Sequence, residues 1–477
     1  LNEAGQARLK ERFEAKTSTD SYKKMLEGRK KLPIFDYRSH ILEVLDNHQI
    51  FVLSAETGAG KSTQVPAYIL EHNLSQGKPC KIYCTEPRRI SAISLAERVS
   101  AELGEAKGKA GTDDSLVGYA IRLESNVGRN AALVFATTGI VLRMLEGDAF
   151  NEITHLVLDE VHERSIESDF LLIIVKTLMT QRPDVKVILM SATIDAERIS
   201  TYFGGCPTVF VPGRTFPVQV QHLEDAIELC GYIVESGSPY EKRVKRKWGQ
   251  SGDLPGNVAR LKSAEAEDNS DDSDAEESGP GADALRKSTQ IAYSPRTIET
   301  IDRLDDRVVN QELIGRLLET ICFEKPEFAS FSRAVLIFMP GLAEIRACFD
   351  MLSAHNRFGT NEFKIYPLHS TISTEEQSAA FDIPPDGVRK IVISTNIAET
   401  GVTLPDVTCV IDTGRHREMR YDEKRHISRL VDCFIAKSNA KQRRGRAGRV
   451  QEGICFHLFT KLRYDDYVSD SDSKSFN

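Results

Sequence analysis

Short apolar segments alternate with longer amphipathic segments along most of the chain. In the first half, the apolar segments cover residues 50–54, 80–85, 133–136, 155–158, 187–190 and 208–211. In the second half, they cover residues 334–338, 364–368, 390–394, 408–412 and 453–458. This alternation is typical of parallel strands that are covered by helices on both faces. We therefore predict an α/β fold with two lobes in tandem, each built on a parallel sheet.

The alternation stops between the two halves, where charged residues dominate. Residues 242–247 form a basic cluster, and residues 264–283 contain nine acidic residues and no basic one. A segment with so much charge and so little apolar surface cannot offset the entropy cost of ordering. We predict a charged, largely disordered insertion at residues 226–296, between a first lobe at 33–225 and a second lobe at 297–464. A solvated helical lead-in at 1–32 and a polar tail at 465–477 complete the predicted organisation.

The composition is that of a globular protein, since 40% of the 477 residues are hydrophobic and 28% are charged. No apolar run approaches the roughly 18 to 20 residues of a membrane helix, and no signal segment opens the chain. We therefore expect an intracellular protein without a membrane partner. The net charge of -8 is concentrated in the acidic segment, so a polyanionic partner remains possible for the rest of the chain. Nine cysteines without a CxxC pair predict reduced thiols rather than metal ligands.

A glycine-rich segment follows the first predicted strand and precedes a predicted helix. Residues 55–63 read AETGAGKST. In such a strand–turn–helix unit, small residues let backbone N–H groups face phosphate oxygens, a lysine adds a cation and a hydroxyl can ligate Mg²⁺. The alternative is an accidental turn. The candidate phosphate-binding residues are Thr57, Gly58, Ala59, Gly60, Lys61, Ser62 and Thr63, with Ser62 also a candidate metal ligand.

Two carboxylates come directly after the fourth apolar segment. Asp159 and Glu160 follow residues 155–158. Beside a phosphate loop, such a strand end is the position for an aspartate that holds Mg²⁺ and a glutamate that polarises water. An acidic strand-end turn is the alternative. We predict Asp159 and Glu160 as metal-site residues, with Glu160 also catalytic.

Five further segments occur in the order in which one helicase family carries its motifs. They are residues 85–89 (TEPRR), 159–162 (DEVH), 191–193 (SAT), 395–400 (TNIAET) and 442–449 (QRRGRAGR). With the phosphate loop, they make the chain resemble the DEAH/RHA group of superfamily 2 RNA helicases over about residues 34–459. Glu86, Val161 and the pair at 401–402 depart from the usual Gln, Ala and Ser-Leu of that group. None of these changes removes a catalytic group.

The resemblance implies two RecA-like lobes that share one NTP site. It assigns Lys61 to the phosphates and Glu160 to general-base catalysis. Gln442 would orient the attacking water, while Arg446 and Arg449 would act as arginine fingers on the γ-phosphate. Without the family, the four arginines between 443 and 449 can be interpreted only as needing an anion among them. A triphosphate or the phosphodiesters of RNA would both satisfy that need.

The resemblance also implies an adenine site and a coupling motif. Arg98 of the first lobe and Phe381 of the second would sandwich the base. Because stacking discriminates weakly among bases, NTPs other than ATP are expected as substrates. A plain core position is the alternative for Phe381. Ser191 and Thr193 match the motif that couples hydrolysis to lobe movement.

Basic and small polar residues at strand ends are candidates for RNA binding. Such groups contact phosphates and 2′-hydroxyls rather than bases, so binding without sequence specificity is expected. Turn chemistry is the alternative for the threonines. A basic run at 412–430 stands where the family has a strand-separating hairpin, with a solvated hairpin as the alternative. The candidates are Arg88, Arg89, Thr137, Thr138 and, by resemblance alone, Gly341 and Thr400.

Taken with the resemblance, these residues predict a monomeric, Mg²⁺- and ATP-dependent RNA helicase or ribonucleoprotein remodeller. Segments at 212–218, 222–226 and 230–235 most resemble cytoplasmic members that assist translation initiation, with the small ribosomal subunit and initiation factors as partners. The chain ends 28 residues after Arg449, before the accessory domains of that group, so a motor core is expected. The alternatives are a nucleotide-switched RNA- or ribosome-docking module without processive unwinding, and a DNA-unwinding enzyme.

Overall fold

The computed structural model describes most of the two predicted lobes. The described residues are 3–56, 58–145, 147, 151–191, 196–213, 216–242, 292–372, 377, 379–399, 404–422 and 427–467. The predicted acidic segment at 264–283 lies outside them. Within the described residues, no helix is both long enough and apolar enough to cross a membrane.

The first lobe contains an eight-stranded sheet covered by helices. Its strands are β1 (Ile50–Ala55), β2 (Ile82–Glu86), β3 (Val117–Ile121), β4 (Glu124–Asn126), β5 (Leu133–Thr137), β6 (His155–Leu158), β7 (Lys186–Ser191) and β8 (Thr208–Val211). Its helices are α1 (Glu3–Thr17), α2 (Asp20–Arg29), α3 (Arg38–Asn47), α4 (Lys61–Ser75), α5 (Arg89–Glu102), α6 (Thr138–Leu145), α7 (Ile166–Gln181) and α8 (Ala196–Tyr202).

The strand order of this sheet is β4-β3-β5-β2-β6-β7-β1-β8, and every pair except β3–β4 is parallel. Successive side chains of a strand point to opposite faces. Accordingly, Phe51 and Leu53 of β1 join one apolar cluster, while Ile50 and Val52 join a second cluster. Burial on both faces explains why the strands are continuous apolar runs in the sequence.

The second lobe contains a six-stranded parallel sheet and a separate antiparallel ribbon. The strands are β9 (Val218–Gln221), β10 (Ala334–Phe338), β11 (Phe363–Leu368), β12 (Arg389–Ser394), β13 (Cys409–Asp412) and β16 (Gly453–His457), in the order β11-β12-β10-β13-β16-β9. The ribbon is formed by β14 (Arg415–Asp422) and β15 (Ile427–Phe434). The helices are α9 (Leu223–Cys230), α10 (Pro295–Arg303), α11 (Gln311–Glu319), α12 (Leu342–Ala354) and α13 (Lys437–Arg444).

The prediction of two tandem α/β lobes is confirmed, and each predicted apolar segment contains a strand. We expected the boundary between the lobes at residues 225/226, but the structure places it before β9. β9 pairs in parallel with β16, and Ala226 and Ile227 of α9 lie in the core of the second lobe. The chain therefore enters the second sheet before the insertion. An alternating pattern shows that a strand exists, but it does not show which sheet the strand joins.

The lead-in also differs from the expected solvated helix. Tyr22 of α2 belongs to the first-lobe core and is 8% exposed, and Arg29 at the end of α2 is 2% exposed. Leu32, the last residue of the lead-in, lies against the glycine-rich segment, because a Cβ atom on Gly60 would lie 3.0 Å from Leu32 Cδ1. The lead-in thus packs directly behind the glycine-rich segment. All nine cysteines are free thiols, as predicted.

Candidate active site

The glycine-rich segment forms a turn between β1 and α4. Gly58 and Gly60 have φ angles of +87° and +95°, in the left-handed region that favours glycine. α4 begins at Lys61, so its unpaired N-terminal N–H groups point to the carboxyl end of the sheet. Ser62 and Thr63 occupy the first turn of the helix. The turn therefore has the geometry of an anion site, while Thr57 lies outside the described residues.

Lys61 contacts both predicted carboxylates across the sheet. Its Nζ lies 2.8 Å from Glu160 Oε1 and 3.9 Å from Asp159 Oδ1. All three side chains are buried. Burial opposes the charge on Lys61, but the two carboxylates outweigh it and raise the pKa of the ammonium. Burial likewise opposes the charge on Glu160, whose pKa Lys61 nevertheless lowers to about 2.

Glu160 is held in an uncommon backbone conformation. Its φ angle is +52°, in the left-handed region, directly after β6. A non-glycine residue there costs on the order of 1–3 kcal/mol, which surrounding contacts must offset. Its N–H donates to Asp159 Oδ1 at 2.8 Å, and its Oε2 lies 3.3 Å from His162 Nε2. The turn thus directs both carboxylates toward the phosphate loop.

Asp159 has the properties of a ligand for a hard cation. Its Oδ2 is buried and makes no hydrogen bond within the described residues. Burial raises its pKa to about 6, because the charged form has lost its hydration. The Ser62 hydroxyl hydrogen-bonds to the same carboxylate. An aspartate and a serine hydroxyl beside a phosphate loop fit Mg²⁺, which prefers oxygen ligands.

Two arginines of the second lobe face these first-lobe groups. Arg446 is buried and donates to the carbonyl oxygen of Glu399, while Arg449 Nε is buried with no hydrogen-bond acceptor among the described residues. Burial lowers the pKa of Arg449 to about 10, and the negative charge of Glu160 acts in the opposite direction. Burial also lowers the pKa of Arg446, again against the effect of Glu160. The same carboxylate acts on both arginines, so both lie at one cleft with Lys61.

Arg443 has a different environment from its neighbours in the same motif. Its side chain is fully buried, with Nε 3.0 Å from Glu399 Oε2 and Nη1 2.8 Å from Asp412 Oδ1. Its guanidinium also lies 4.8 Å from the centre of the Phe338 ring. The anions that the arginine cluster requires are therefore partly supplied by the protein itself. Gln442 is partly buried next to it on α13.

The two predicted adenine residues lie near one contact between the lobes. Lys107 Nζ and Asp382 Oδ1 are 3.4 Å apart across the lobes. Asp382 follows Phe381, which packs against a second-lobe apolar cluster. In the first lobe, the loop that carries Lys107 is hydrogen-bonded to a side chain of α5. On the same helix, Arg98 donates to Glu102 Oε1 at 2.7 Å. Arg98 remains largely exposed, so its guanidinium is accessible to a ligand.

The predicted RNA-binding residues are distributed over the carboxyl ends of the strands. Arg88 forms an ion pair with Glu163 at 3.1 Å, whereas Arg89 at the start of α5 is exposed. Thr138 is buried and lies 3.5 Å from the carbonyl oxygen of Glu86, and Thr137 ends β5. Gly341 precedes α12, where a Cβ atom would collide with the Arg417 guanidinium. Ser191 ends β7 and is buried; Thr193 and Thr400 lie outside the described residues.

Glu86 is a site residue whose importance the sequence alone did not reveal. It ends β2 with no exposed surface, and its Oε2 has no hydrogen-bond partner in the described part of the chain. Burial, followed by repulsion from Asp159 and Glu160, raises its pKa. The charged form of Glu86 is therefore disfavoured by its surroundings. The sequence signal for this role was that Glu86 ends β2, the strand next to β6, which Asp159 and Glu160 follow.

The two halves of this site match two family models. Residues 37–201 match the DEAD/DEAH box helicase model, and residues 315–451 match the helicase conserved C-terminal domain. The E. coli DEAH/RHA helicase HrpB has a similar structure, with a TM-score of 0.67 and 26% identity over 93% of this chain and 44% of that chain.

Curated relatives are similar over nearly the whole chain. The human ATP-dependent RNA helicase DHX29 is 44% identical over 464 residues, which are 96% of this chain and 33% of the relative. The human putative ATP-dependent RNA helicase DHX57 is 43% identical over 97% of this chain and 34% of the relative. The Bos taurus ATP-dependent DNA/RNA helicase DHX36 is 42% identical over 96% of this chain and 44% of the relative. The chain thus spans between a third and a half of these relatives.

Proposed function

Since this chain belongs to the DEAD/DEAH box helicases, we propose that it hydrolyses ATP between its two lobes in order to unwind or remodel RNA. The observation that supports this most directly is the convergence of four groups on one cleft. Lys61 and Glu160 come from the first lobe, and Arg446 and Arg449 come from the second. An active site completed by the second lobe makes hydrolysis depend on lobe closure.

In the proposed mechanism, binding of ATP changes the partner of Lys61. A carboxylate paired with an ammonium group, like Glu160 here, is a weak base. Transfer of Lys61 Nζ to a phosphate oxygen removes that cation, so Glu160 becomes more basic where water must be deprotonated. Gln442 would orient this water. Arg446 and Arg449 would stabilise the charge that develops on the γ-phosphate.

Ser62 and Asp159 are the residues that would hold Mg²⁺. When bound there, Mg²⁺ would neutralise phosphate charge and orient the β- and γ-phosphates. Arg98 and Phe381 would stack on the base, so ATP is the proposed substrate and other NTPs are accepted. Ser191 and Thr193 would link hydrolysis to movement of the lobes.

RNA is the proposed partner, because two of the relatives described above are named as RNA helicases and one as a DNA/RNA helicase. The backbone of the RNA would be contacted by residues of both lobes. They are Arg88, Arg89, Thr137 and Thr138 in the first lobe and Gly341 and Thr400 in the second. Translation initiation on the small ribosomal subunit in the cytoplasm is the proposed setting. It is supported by the resemblance of the segments at 212–218, 222–226 and 230–235 to helicases of that process.

Replacing Arg449 with alanine should lower ATP turnover about 100-fold or more even without RNA, since an arginine finger contributes on the order of 10³ to 10⁵ in rate. Steady-state phosphate release measures this effect. Arg333→Ala is the matched control. Arg333 precedes β10 at the opposite end of the sheet, where it pairs with an almost fully exposed Asp386. Equal turnover in the two variants would contradict the role of Arg449.

Replacing Arg89 with alanine should leave RNA-free turnover unchanged while weakening RNA binding. Each lost phosphate contact should reduce the slope of log affinity against log salt concentration by about one unit. Fluorescence anisotropy with a single-stranded RNA at several salt concentrations gives this slope. Arg88→Ala is a less clean variant, because it also removes the ion pair between Arg88 and Glu163.

Unwinding of a duplex should be assayed on the same RNA. Turnover that RNA stimulates without strand separation would favour the nucleotide-switched docking module instead. Duplex DNA serves as the competing substrate in this assay. Unwinding of DNA but not of RNA would contradict the proposed substrate.

A further inference from the structure

A buried polar network connects the lead-in helix α2 with the region of the proposed adenine site. Its members come from α2, α4 and α5, and three consecutive hydrogen bonds link the two ends. From one end of the network to the other, the residues are Arg29, Gln64, Glu102 and Arg98. The first three side chains are at most 2% exposed, whereas Arg98 is 62% exposed.

Arg29 is the fixed end of this network. Its Nη1 donates to Glu71 Oε1 at 2.6 Å and its Nε donates to Gln64 Oε1 at 2.8 Å. Tyr22 OH donates to the same Glu71 oxygen at 2.9 Å, and the Arg29 guanidinium lies 5.9 Å from the centre of the Tyr68 ring. Two donors at fixed angles on one planar group hold both acceptors at once, and a lysine ammonium, whose donors share one nitrogen, does not reproduce this fork.

Gln64 transmits the orientation of Arg29 to α5. Arg29 Nε can only donate, so the amide oxygen of Gln64 must face it and the amide nitrogen must face away. That nitrogen donates to Glu102 Oε2 at 2.6 Å and to Thr63 Oγ1 at 2.9 Å. Glu102 Oε2 accepts from this nitrogen, so it favours the same amide orientation as Arg29, and Arg29 fixes the other end of the amide. One amide therefore touches both the phosphate loop and the carboxylate that receives Arg98.

Glu102 holds the exposed arginine. Its Oε1 accepts from Arg98 Nε at 2.7 Å, one helical turn earlier on α5. An ion pair between two exposed side chains contributes little order, because both partners move. Here the carboxylate is buried and tied to Gln64, so the mobile partner is attached to an immobile one. The guanidinium of Arg98 is therefore pre-oriented before a ligand arrives.

We propose that Arg29 is a positioning residue for the nucleobase, acting through Gln64 and Glu102 on the guanidinium of Arg98. This inference rests on the proposed function, because it assumes that Arg98 stacks on the base. The lead-in would thereby influence nucleotide affinity through the side chains of α4 and α5. Nothing in the charge-alternating sequence of the lead-in indicates this role.

The test compares the binding of ADP and inorganic tripolyphosphate by calorimetry. Arg29→Lys keeps the buried positive charge for Glu71 but lacks the Nε donor that holds Gln64. We expect ADP to bind about tenfold more weakly, the size of a cation–π contact of roughly 1.4 kcal/mol, while tripolyphosphate binding changes less than about twofold. Arg38→Ala is the control, since Arg38 also contacts Glu71, at 3.4 Å, and it should leave both affinities nearly unchanged. Circular dichroism confirms that each variant is folded.

The decisive step adds Arg98→Ala. Arg98→Ala alone should weaken ADP binding about tenfold, and Arg29→Lys should then cause no further loss, because its effect passes through Arg98. If Arg29→Lys weakened ADP binding equally in the presence and absence of Arg98, the inference would be overturned. It would also be overturned if ADP and tripolyphosphate lost affinity in parallel, because that result would indicate an effect through Thr63. Wild-type protein that binds neither ligand would instead refute the proposed function. Normal ADP binding by Arg29→Lys, with impaired binding by Arg98→Ala, refutes the inference alone.

Discussion

Replacing Glu160 with glutamine should reduce ATP turnover by a factor on the order of 10² to 10⁴, the usual contribution of general-base catalysis. The amide has nearly the shape of the carboxylate, but it cannot accept a proton from water. It also cannot form the ion pair with Lys61 Nζ at 2.8 Å. Lys61 is then more available to a phosphate, so ATP binding should be retained or strengthened. Single-turnover hydrolysis and equilibrium binding separate these two effects.

A suitable control for this variant is Glu167→Gln. Glu167 lies in the exposed first turn of α7, close in sequence to Glu160. It should hydrolyse ATP at the wild-type rate. If Glu160→Gln retained wild-type turnover, the base would have to be sought elsewhere. Loss of ATP binding together with turnover would mean that Glu160 shapes the site rather than acting on water.

Replacing Arg443 with alanine should destabilise the second lobe by about 3–5 kcal/mol, the usual cost of removing one partner from a buried ion pair. The substitution leaves Glu399 and Asp412 buried without their shared cation. Asp412 then keeps a backbone contact from the Gly414 N–H at 2.9 Å and a ring contact from His457 Nδ1 at 3.0 Å. Burial opposes the charge on Asp412, and its pKa is lowered to about 2 chiefly by Arg443. Removal of Arg443 therefore also removes the main stabiliser of the charged form.

Hydrogen exchange of the β13 and α13 amides against urea would measure this loss, because it reports on the second lobe separately from the first. Arg333→Ala, which breaks a surface pair, should cost no more than about 1 kcal/mol. An equally small effect of Arg443→Ala would show that the buried triad contributes no net stability. A loss of ATP turnover at full stability would assign Arg443 to the active site together with Arg446 and Arg449.

Local chemistry was readable from the sequence because it depends on neighbouring residues. The glycines at 58 and 60 adopt the left-handed φ angles that the glycine-rich segment required. Asp159 and Glu160 lie at the end of β6, and the contacts of Lys61 bring them to the phosphate loop. The carboxyl ends of parallel strands share one edge of a sheet, so residues at strand ends meet wherever they stand in the chain. This rule accounts for the contacts of Lys61 with Asp159 and Glu160. The roles of Gln442, Arg446 and Arg449, in contrast, came from the family resemblance and stay predictions.

Residues that look alike in sequence were separated only by their surroundings. Arg443, Arg446 and Arg449 stand in one short motif, yet Arg443 is paired with two buried carboxylates of its own lobe while the other two face Glu160. The spacing of the arginines in this motif shows how close they are to one another along the chain. It does not reveal which acidic residues approach from other strands.

What the sequence determined by itself is therefore the fold class, most of the strands and the strand-end chemistry, since apolar periodicity and turn residues act over short distances. The strands β3, β4 and β9 were not among the predicted segments. The tertiary structure alone decided that β9 joins the second sheet, that the lead-in is buried against α4, and which partner each charged group has. Arg29 illustrates the reason. Its charge makes a solvated helix the expected outcome, but Glu71 and Gln64 lie 35 residues or more away, and only folding brings them within 3 Å of its guanidinium. The environment of a charge is a property of all the elements packed around it.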